Sequence, residues 1–307
     1  GRCGQYRATA GGPIALRRRQ CQELSVVDFP LEAGAVRIIE DFPLDVFTLM
    51  MNRSYEDLLD HMLWWESTPV SMVAAAEGTS ALAADTEFAV VAASYAAWNG
   101  APDSCPLAAD APLVDAGRVE LEVGRDEVNL IKFRDTSWCR PATADDPERC
   151  YEPLVVAKTT IVFIDDADHP RDGAIVDADI EINGVFFAIA SDGASLGLSG
   201  CRIDLASSLT HELGHLLGLE HTCTYGDDPP RVDGRGAPVP ACDATTDPQI
   251  VEATMYPYLN CDETHQASLT TDDRDAICAV YPDDLAARGC QAAGTTAAPV
   301  GLAVVTL

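Results

Sequence analysis

The residues best suited to chemistry lie together at 211–221, in the run HELGHLLGLEH. On an α-helix, His211 and His215 sit four residues apart on one face, close enough to share a metal ion. Leu205, Leu209, Leu213 and Leu216 fall on the opposite side, so one face packs while the other binds. Gly218, one turn after His215, can take a positive φ, end the helix and turn the chain back. That turn delivers His221 as a third ligand. Three neutral imidazoles with an open fourth position make a catalytic zinc site, whereas structural sites are usually closed by four ligands rich in cysteine. Glu212 stands beside the ligands as a general base. Five fixed residues at this spacing are a far stronger signal than HExxH alone, and the competing reading is an ordinary helix with surface histidines.

These residues resemble the metzincin clan of zinc endopeptidases. The clan also carries a methionine in a turn beneath the metal, and TMYPY supplies Met255, 34 residues beyond His221. Met255, Tyr256 and Pro257 are similar to the MYP of matrixins, and Pro257 stands where astacin-like and serralysin-like members have tyrosine. Thr222 occupies the place of the matrixin serine, and LTTDDRDAICAVYP (269–282) resembles the matrixin C-terminal helix with its paired aspartates, here Asp272 and Asp273. The strong motifs cover 211–282. What the resemblance implies is an α+β catalytic domain of the α/β metzincin type: a twisted, mostly parallel sheet backed by two long helices, the second bearing the zinc ligands. An irregular C-terminal subdomain follows, with a Met-turn in which Met255 supports the metal without ligating it. The implied activity is that of a zinc-dependent endopeptidase, hydrolysing protein or peptide substrates with zinc-activated water and Glu212 as base. GRCG at 1–4 resembles the propeptide cysteine that caps zinc in matrixin zymogens, so Cys3 is a candidate fourth ligand; a disulfide is the alternative.

A chain of 307 residues with 47% hydrophobic and 22% charged residues can bury one large core or two modest ones. Its net charge of −29 argues against nucleic acid and anionic membranes as partners, because those surfaces would repel it. A monomer acting on protein substrates is expected. Eleven cysteines spread from Cys3 to Cys290, with no paired CxxC motif, point to an oxidising setting, secreted or at the cell surface. Cys139 with Cys150, and Cys223 with Cys242, are the pairs that close short loops. No leader is visible at Gly1, which fits a chain numbered after its removal.

Working outward from the motif, three organisational units are expected: an N-terminal segment (1–80), a catalytic domain (81–285) and a tail (286–307). A first strand is expected at 20–28. SYEDLLDHMLWWES (54–67) has a helical pattern and reads as a helical insertion or pro-segment, followed by a small-residue linker or cleavage region over 73–85. DTEFAVVAASYAAW (85–98) predicts the long helix behind the sheet, with Phe88, Val91, Tyr95 and Trp98 near one face. GRVELEV (117–123), NLIKFRD (129–135), TTIVFIDD (159–166) and GVFFAIA (184–190) predict strands. The segment 165–183 reads as an acidic loop; Asp166, Asp168, Asp177 and Asp179 are candidates for a Ca2+ site, with a plain solvated loop as the alternative. The stretch between His221 and Met255 reads as an irregular loop stapled by Cys223 and Cys242. The apolar end of the tail, PVGLAVVTL, is too short for a bilayer span of about 20 residues, which leaves a tail or a truncated anchor.

Two other function classes are compatible with the chain. A silent zinc-binding or adhesion module would have no evident use for Glu212. A structural surface protein working through its acidic face would bind no metal.

Overall fold

The computed structural model of the chain describes residues 48–49, 63–100, 112–143, 147–165, 171–191, 202–224, 238–261, 263–281 and 302–306. The elements in chain order are β1 (Thr48–Leu49), β2 (Trp64–Trp65), β3 (Val70–Ala75), α1 (Thr86–Asn99), β4 (Leu113–Val119), β5 (Asn129–Arg134), β6 (Cys139–Arg140) and β7 (Arg149–Cys150). They continue with β8 (Ala157–Ile164), β9 (Ala174–Asn183), β10 (Ala188–Ala190), β11 (Arg202–Asp204), α2 (Leu205–Leu216), β12 (Leu219–Glu220), α3 (Pro248–Val251), α4 (Thr271–Val280) and β13 (Leu302–Thr306).

Seven strands form one sheet in the order β13-β8-β9-β5-β3-β4, with β2 also pairing β9. The pairs β3/β4, β3/β5, β5/β9 and β2/β9 are parallel, while β8 runs antiparallel to both β9 and β13. The mostly parallel α+β class expected from the sequence is therefore the architecture found. Period-two alternation explains the two faces of the sheet. Val70, Met72, Ile131, Phe133, Ile161, Phe163, Ala178, Ile180 and Ile182 enter a single large core with α1 and α2. Val73, Ala75 and Leu130 face the other way, where they pack with Val123 and Val119.

On that second face β9 carries Asp177, Asp179, Glu181 and Asn183, all buried. This corrects the loop expected over 165–183: residues 174–183 are a ten-residue strand. Acidic side chains in strict alternation with apolar ones are a strand pattern once a second layer supplies cations. Arg134 donates to Glu181 from Nε (2.7 Å) and to both carboxylate oxygens of Glu122, Tyr151 donates its hydroxyl to Glu181 (2.7 Å), and Arg140 donates to Asp179 (2.9 Å). The covering layer includes the hairpin β6–β7, in which Cys139 and Cys150 are paired across the strands and joined by a disulfide. The second expected pair, Cys223–Cys242, is also bonded. Breaking a buried ion pair leaves a charge uncompensated, so Arg134→Met is expected to lower stability by about 3–5 kcal/mol in urea denaturation. An unchanged midpoint would mean that the Glu181 carboxylate does not depend on Arg134.

Several boundaries differ from expectation. Trp64 and Trp65 form a strand on β9 rather than the end of a helix, because their pairing to Ala174 and Ile175 outweighs a local helical pattern. β3 lies between β5 and β4, so the sheet begins upstream of residue 81 and Val73–Ala75 are strand rather than linker. The strand expected at 117–123 spans Leu113–Val119, and that at 184–190 shrinks to Ala188–Ala190, with Phe186 exposed in the preceding turn. Helix α1 matches, though Phe88 is only half-buried, beneath the Arg118 guanidinium at 3.5 Å, and Val90 and Ser94 share its buried face. The end of the tail is not loose chain: Leu302–Thr306 is a strand on β8. The strand expected at 20–28, residues 54–62, Cys3 and residues 286–301 lie outside the described residues. Among the described residues, no helix is long and apolar enough to cross a membrane.

Candidate metal centre

Helix α2 starts where β11 ends. The Asp204 carboxylate caps it by accepting the Ser207 backbone N–H (2.9 Å) and hydroxyl (2.8 Å). At the other end the orphan carbonyls find tertiary donors: Trp65 Nε1 donates to Leu216 (2.8 Å) and the Tyr281 hydroxyl to Leu217 (2.9 Å). Gly218 then turns the chain at φ +99°, and a Cβ there would lie 2.6 Å from the Leu63 carbonyl oxygen. The glycine is required twice, by conformation and by space. Gly218→Ala is expected to cost about 1–3 kcal/mol in denaturant melts. A smaller loss would show that the turn can relax away from Leu63.

The turn leads through β12 to His221. The Nε2 atoms of His211, His215 and His221 converge, with His215 3.0 Å from each of the others and His211 3.2 Å from His221. Among the described residues, these three side chains are the one group of His, Cys, Asp or Glu that could hold a metal ion. Two of the three outer nitrogens are fixed from behind by carbonyls. Nδ1 of His211 meets the Thr254 carbonyl at 2.7 Å, and Nδ1 of His215 meets the Leu219 carbonyl at 2.8 Å. A carbonyl can only accept, so both rings carry the proton on Nδ1 and turn the Nε2 lone pair inward. His221 Nδ1 lies 3.4 Å from Glu220 Oε1, which also accepts the His221 backbone N–H. Burial, and then the neighbouring His215, depress the pKa of His211 to about 3, so its ring stays neutral.

Glu212 follows His211 on the same helix. Its Oε2 accepts the Thr159 hydroxyl from β8 at 2.5 Å. Burial pushes its pKa up to about 7, against the lowering effects of the Thr159 hydrogen bond and of Lys158. That is the range in which a carboxylate can both take and return a proton near neutrality.

Met255 packs against α2 at Gly214. A Cβ built at Gly214 would come within 2.3 Å of Met255 Sδ and 2.9 Å of Trp98, so the methionine lies directly against the bare helix backbone. Its turn is tied in by Thr222, whose N–H donates to the Met255 carbonyl (3.1 Å), and by Asp273, which caps α4 and accepts the Thr254 N–H at 3.5 Å. Among the described residues between His221 and Met255, the short α3 is the one helix; residues 225–237, in the middle of the loop expected there, lie outside the described residues.

The remaining candidates fall elsewhere. Asp166 and Asp168 lie outside the described residues. Asp177 and Asp179 sit in β9 rather than a loop. Asp179 is committed to Arg140 and to the Gly124 and Leu130 amides, and no third ligand converges with the two among the described residues. Burial, and then the Asp126 charge, push the pKa of Asp177 up to about 7, and its Oδ1 has no hydrogen-bond partner among the described residues. An unfolded carboxyl titrates near 3.9. Between these values the folded chain holds a proton that the unfolded chain has lost. The contribution is complete below about pH 4 and disappears as pH rises through about 7, an upper bound of about 4 kcal/mol. Asp177→Asn, which mimics the protonated group, is expected to be more stable than the parent at pH 8 and close to it at pH 4. Equal stability of the two proteins at both pH values would sink this account.

Thr159 and Trp98 belong to the site but come from another strand and helix and carry no local signature, while Glu220 and Thr254 adjoin His221 and Met255 with nothing local to mark the contacts they make. No protein-family model and no curated protein matches the chain.

Proposed function

We propose that the chain is a zinc-dependent endopeptidase of the metzincin type, closest to the matrixins. The observation that carries this reading is the convergence of three imidazole Nε2 atoms at 3.0–3.2 Å, one helical residue from a buried carboxylate. Zn–N bonds of about 2.0–2.1 Å at tetrahedral angles place ligand nitrogens about 3.3 Å apart, so the triangle fits a zinc ion with little adjustment. His211, His215 and His221 would hold it, and the fourth position is left to water and substrate. Bound there, zinc supplies Lewis acidity, polarising a peptide carbonyl and acidifying water.

The chain's own groups do the rest. Thr159 holds the Glu212 carboxylate in one orientation, so that it can accept the proton of the attacking water and return it to the leaving amine. The Thr254 and Leu219 carbonyls keep two ligand rings from rotating, and the Glu220 carboxylate stands behind the third. Met255 fills the space under Gly214 and keeps α2 in register with the turn that carries Thr254. The disulfides fit an oxidising compartment, and the acidic surface fits protein substrates better than nucleic acid.

The test is zinc content together with cleavage of casein by the purified protein, before and after treatment with a chelator. The expected result is zinc bound at one site, cleavage lost on chelation and restored by added zinc. A zinc-loaded, folded protein that leaves casein and short unstructured peptides intact would turn the reading toward a silent zinc module.

A further inference from the structure

We propose that residues 302–306 are an internal competitor for the sheet edge on which a peptide substrate docks, so that the chain blocks its own site until this strand leaves β8. The inference rests on the peptidase reading above and adds a regulatory element to it. Extended peptides bind sheets by adding a strand to an open edge, satisfying their main-chain groups there. The sheet has β4 at one end of its order and β13 on β8 at the other. Thr159 of β8 donates its hydroxyl to Glu212, so β8 runs directly beside the metal centre. A peptide with one carbonyl near His211, His215 and Glu212 would therefore extend along the outer edge of β8.

That edge is taken. β13 lies antiparallel on β8, with Leu302 opposite Ile164 and Thr306 opposite Thr160. The last pair is one residue from Thr159. The main-chain groups of Thr160–Ile164 that a substrate strand would use are engaged by the chain itself. The occupant suits the place. LAVVT is uncharged and rich in β-branched residues, which favour strand, and it brings no further negative charge to a protein of net charge −29. By the same chemistry, the preferred substrates are uncharged, β-branched stretches presented in extended form. A tethered strand competes at an effective concentration on the order of millimolar, which raises the apparent KM without touching the groups that act on the bond.

The test uses the full chain carrying Ala303→Pro and Val304→Pro together. Neighbouring amides in a strand point to opposite edges, so one of the two prolines must remove a donor to β8. The zinc-loaded variant is expected to cleave an unstructured, uncharged peptide with KM lowered at least about tenfold and kcat within about twofold of the parent. A second readout needs no turnover. In a Glu212→Ala background, a labelled synthetic peptide of sequence LAVVT binds the double-proline variant and not the chain with β13 intact. Unchanged KM together with equal peptide binding in both backgrounds overturns the proposal. Peptide binding that appears only with the prolines, with no variant cleaving, retains the competitor and removes the peptidase reading instead. If the prolines prevent folding, a chain stopped after residue 301 takes their place in both measurements, with the same outcomes.

Discussion

Glu212→Gln is expected to lower kcat/KM on casein by about 10²–10⁴ while leaving the zinc content unchanged, which is the range that loss of a positioned general base costs. Glutamine is the informative replacement because its side-chain oxygen can still accept the Thr159 hydroxyl that holds Glu212 at 2.5 Å. Shape and that hydrogen bond are kept, and only the ability to take a proton is lost. The three imidazoles that would bind the metal are untouched. A Gln variant that cleaves at the parental rate would remove Glu212 from the chemistry and, with it, the proposed mechanism. Zinc content measured on the same sample distinguishes that result from simple loss of the metal.

His215→Ala should act one level lower, on metal binding itself. Removing a ligand is expected to weaken zinc affinity by more than the 10–100-fold typical of losing only a hydrogen-bonded partner behind a ligand. The readout is thermal or urea stability with and without zinc. A ligand that binds only the folded state stabilises it by about 4 kcal/mol at a free concentration a thousand times its Kd. The parent should show such a zinc-dependent gain and His215→Ala should not. His215 is 1% exposed, and its Nδ1 binds a carbonyl only four residues away, so a parental gain in the variant would show that zinc binds elsewhere.

The candidate site was legible in sequence to the extent that it is local. His211, Glu212 and His215 lie on α2 and Gly218 in the turn just after it, and the helix and the turn place them where their spacing implies. His221 was legible because the glycine turn sets its distance from the helix, and Met255 only because TMYPY resembles the metzincin Met-turn. Thr159 and the Thr254 carbonyl were not, because nothing in their own neighbourhoods encodes what they meet across the fold, and Glu220 stands inside the motif with nothing to mark it as the group behind His221. The sheet was read well where β-branched residues run together, as in Thr159–Ile164. It was misread at Ala174–Asn183, where aspartates and a glutamate suggested an exposed loop. Only Arg134, Arg140 and Tyr151, approaching from other segments, make burial of those carboxylates tenable. Trp64 and Trp65 were misread for the same reason, since partner strands rather than local pattern decide their state.

The hydrogen bond from His211 to the Thr254 carbonyl spans 43 residues, while that from His215 to Leu219 spans four. The ligand set therefore has an order of assembly in time. As the chain is synthesised from its N-terminus, His215 can be oriented as soon as α2 and its turn exist. His211 must wait until Met255 and its neighbours have emerged and folded back. On the proposed reading, a nascent chain would meet zinc with an incompletely oriented site, and full affinity would arrive only after that long loop has closed. The Cys223–Cys242 bond lies inside the loop and shortens the path to be closed, so its oxidation lowers the entropy cost of bringing Thr254 to His211. Reducing conditions during folding should thus delay metal acquisition even though neither cysteine is a ligand.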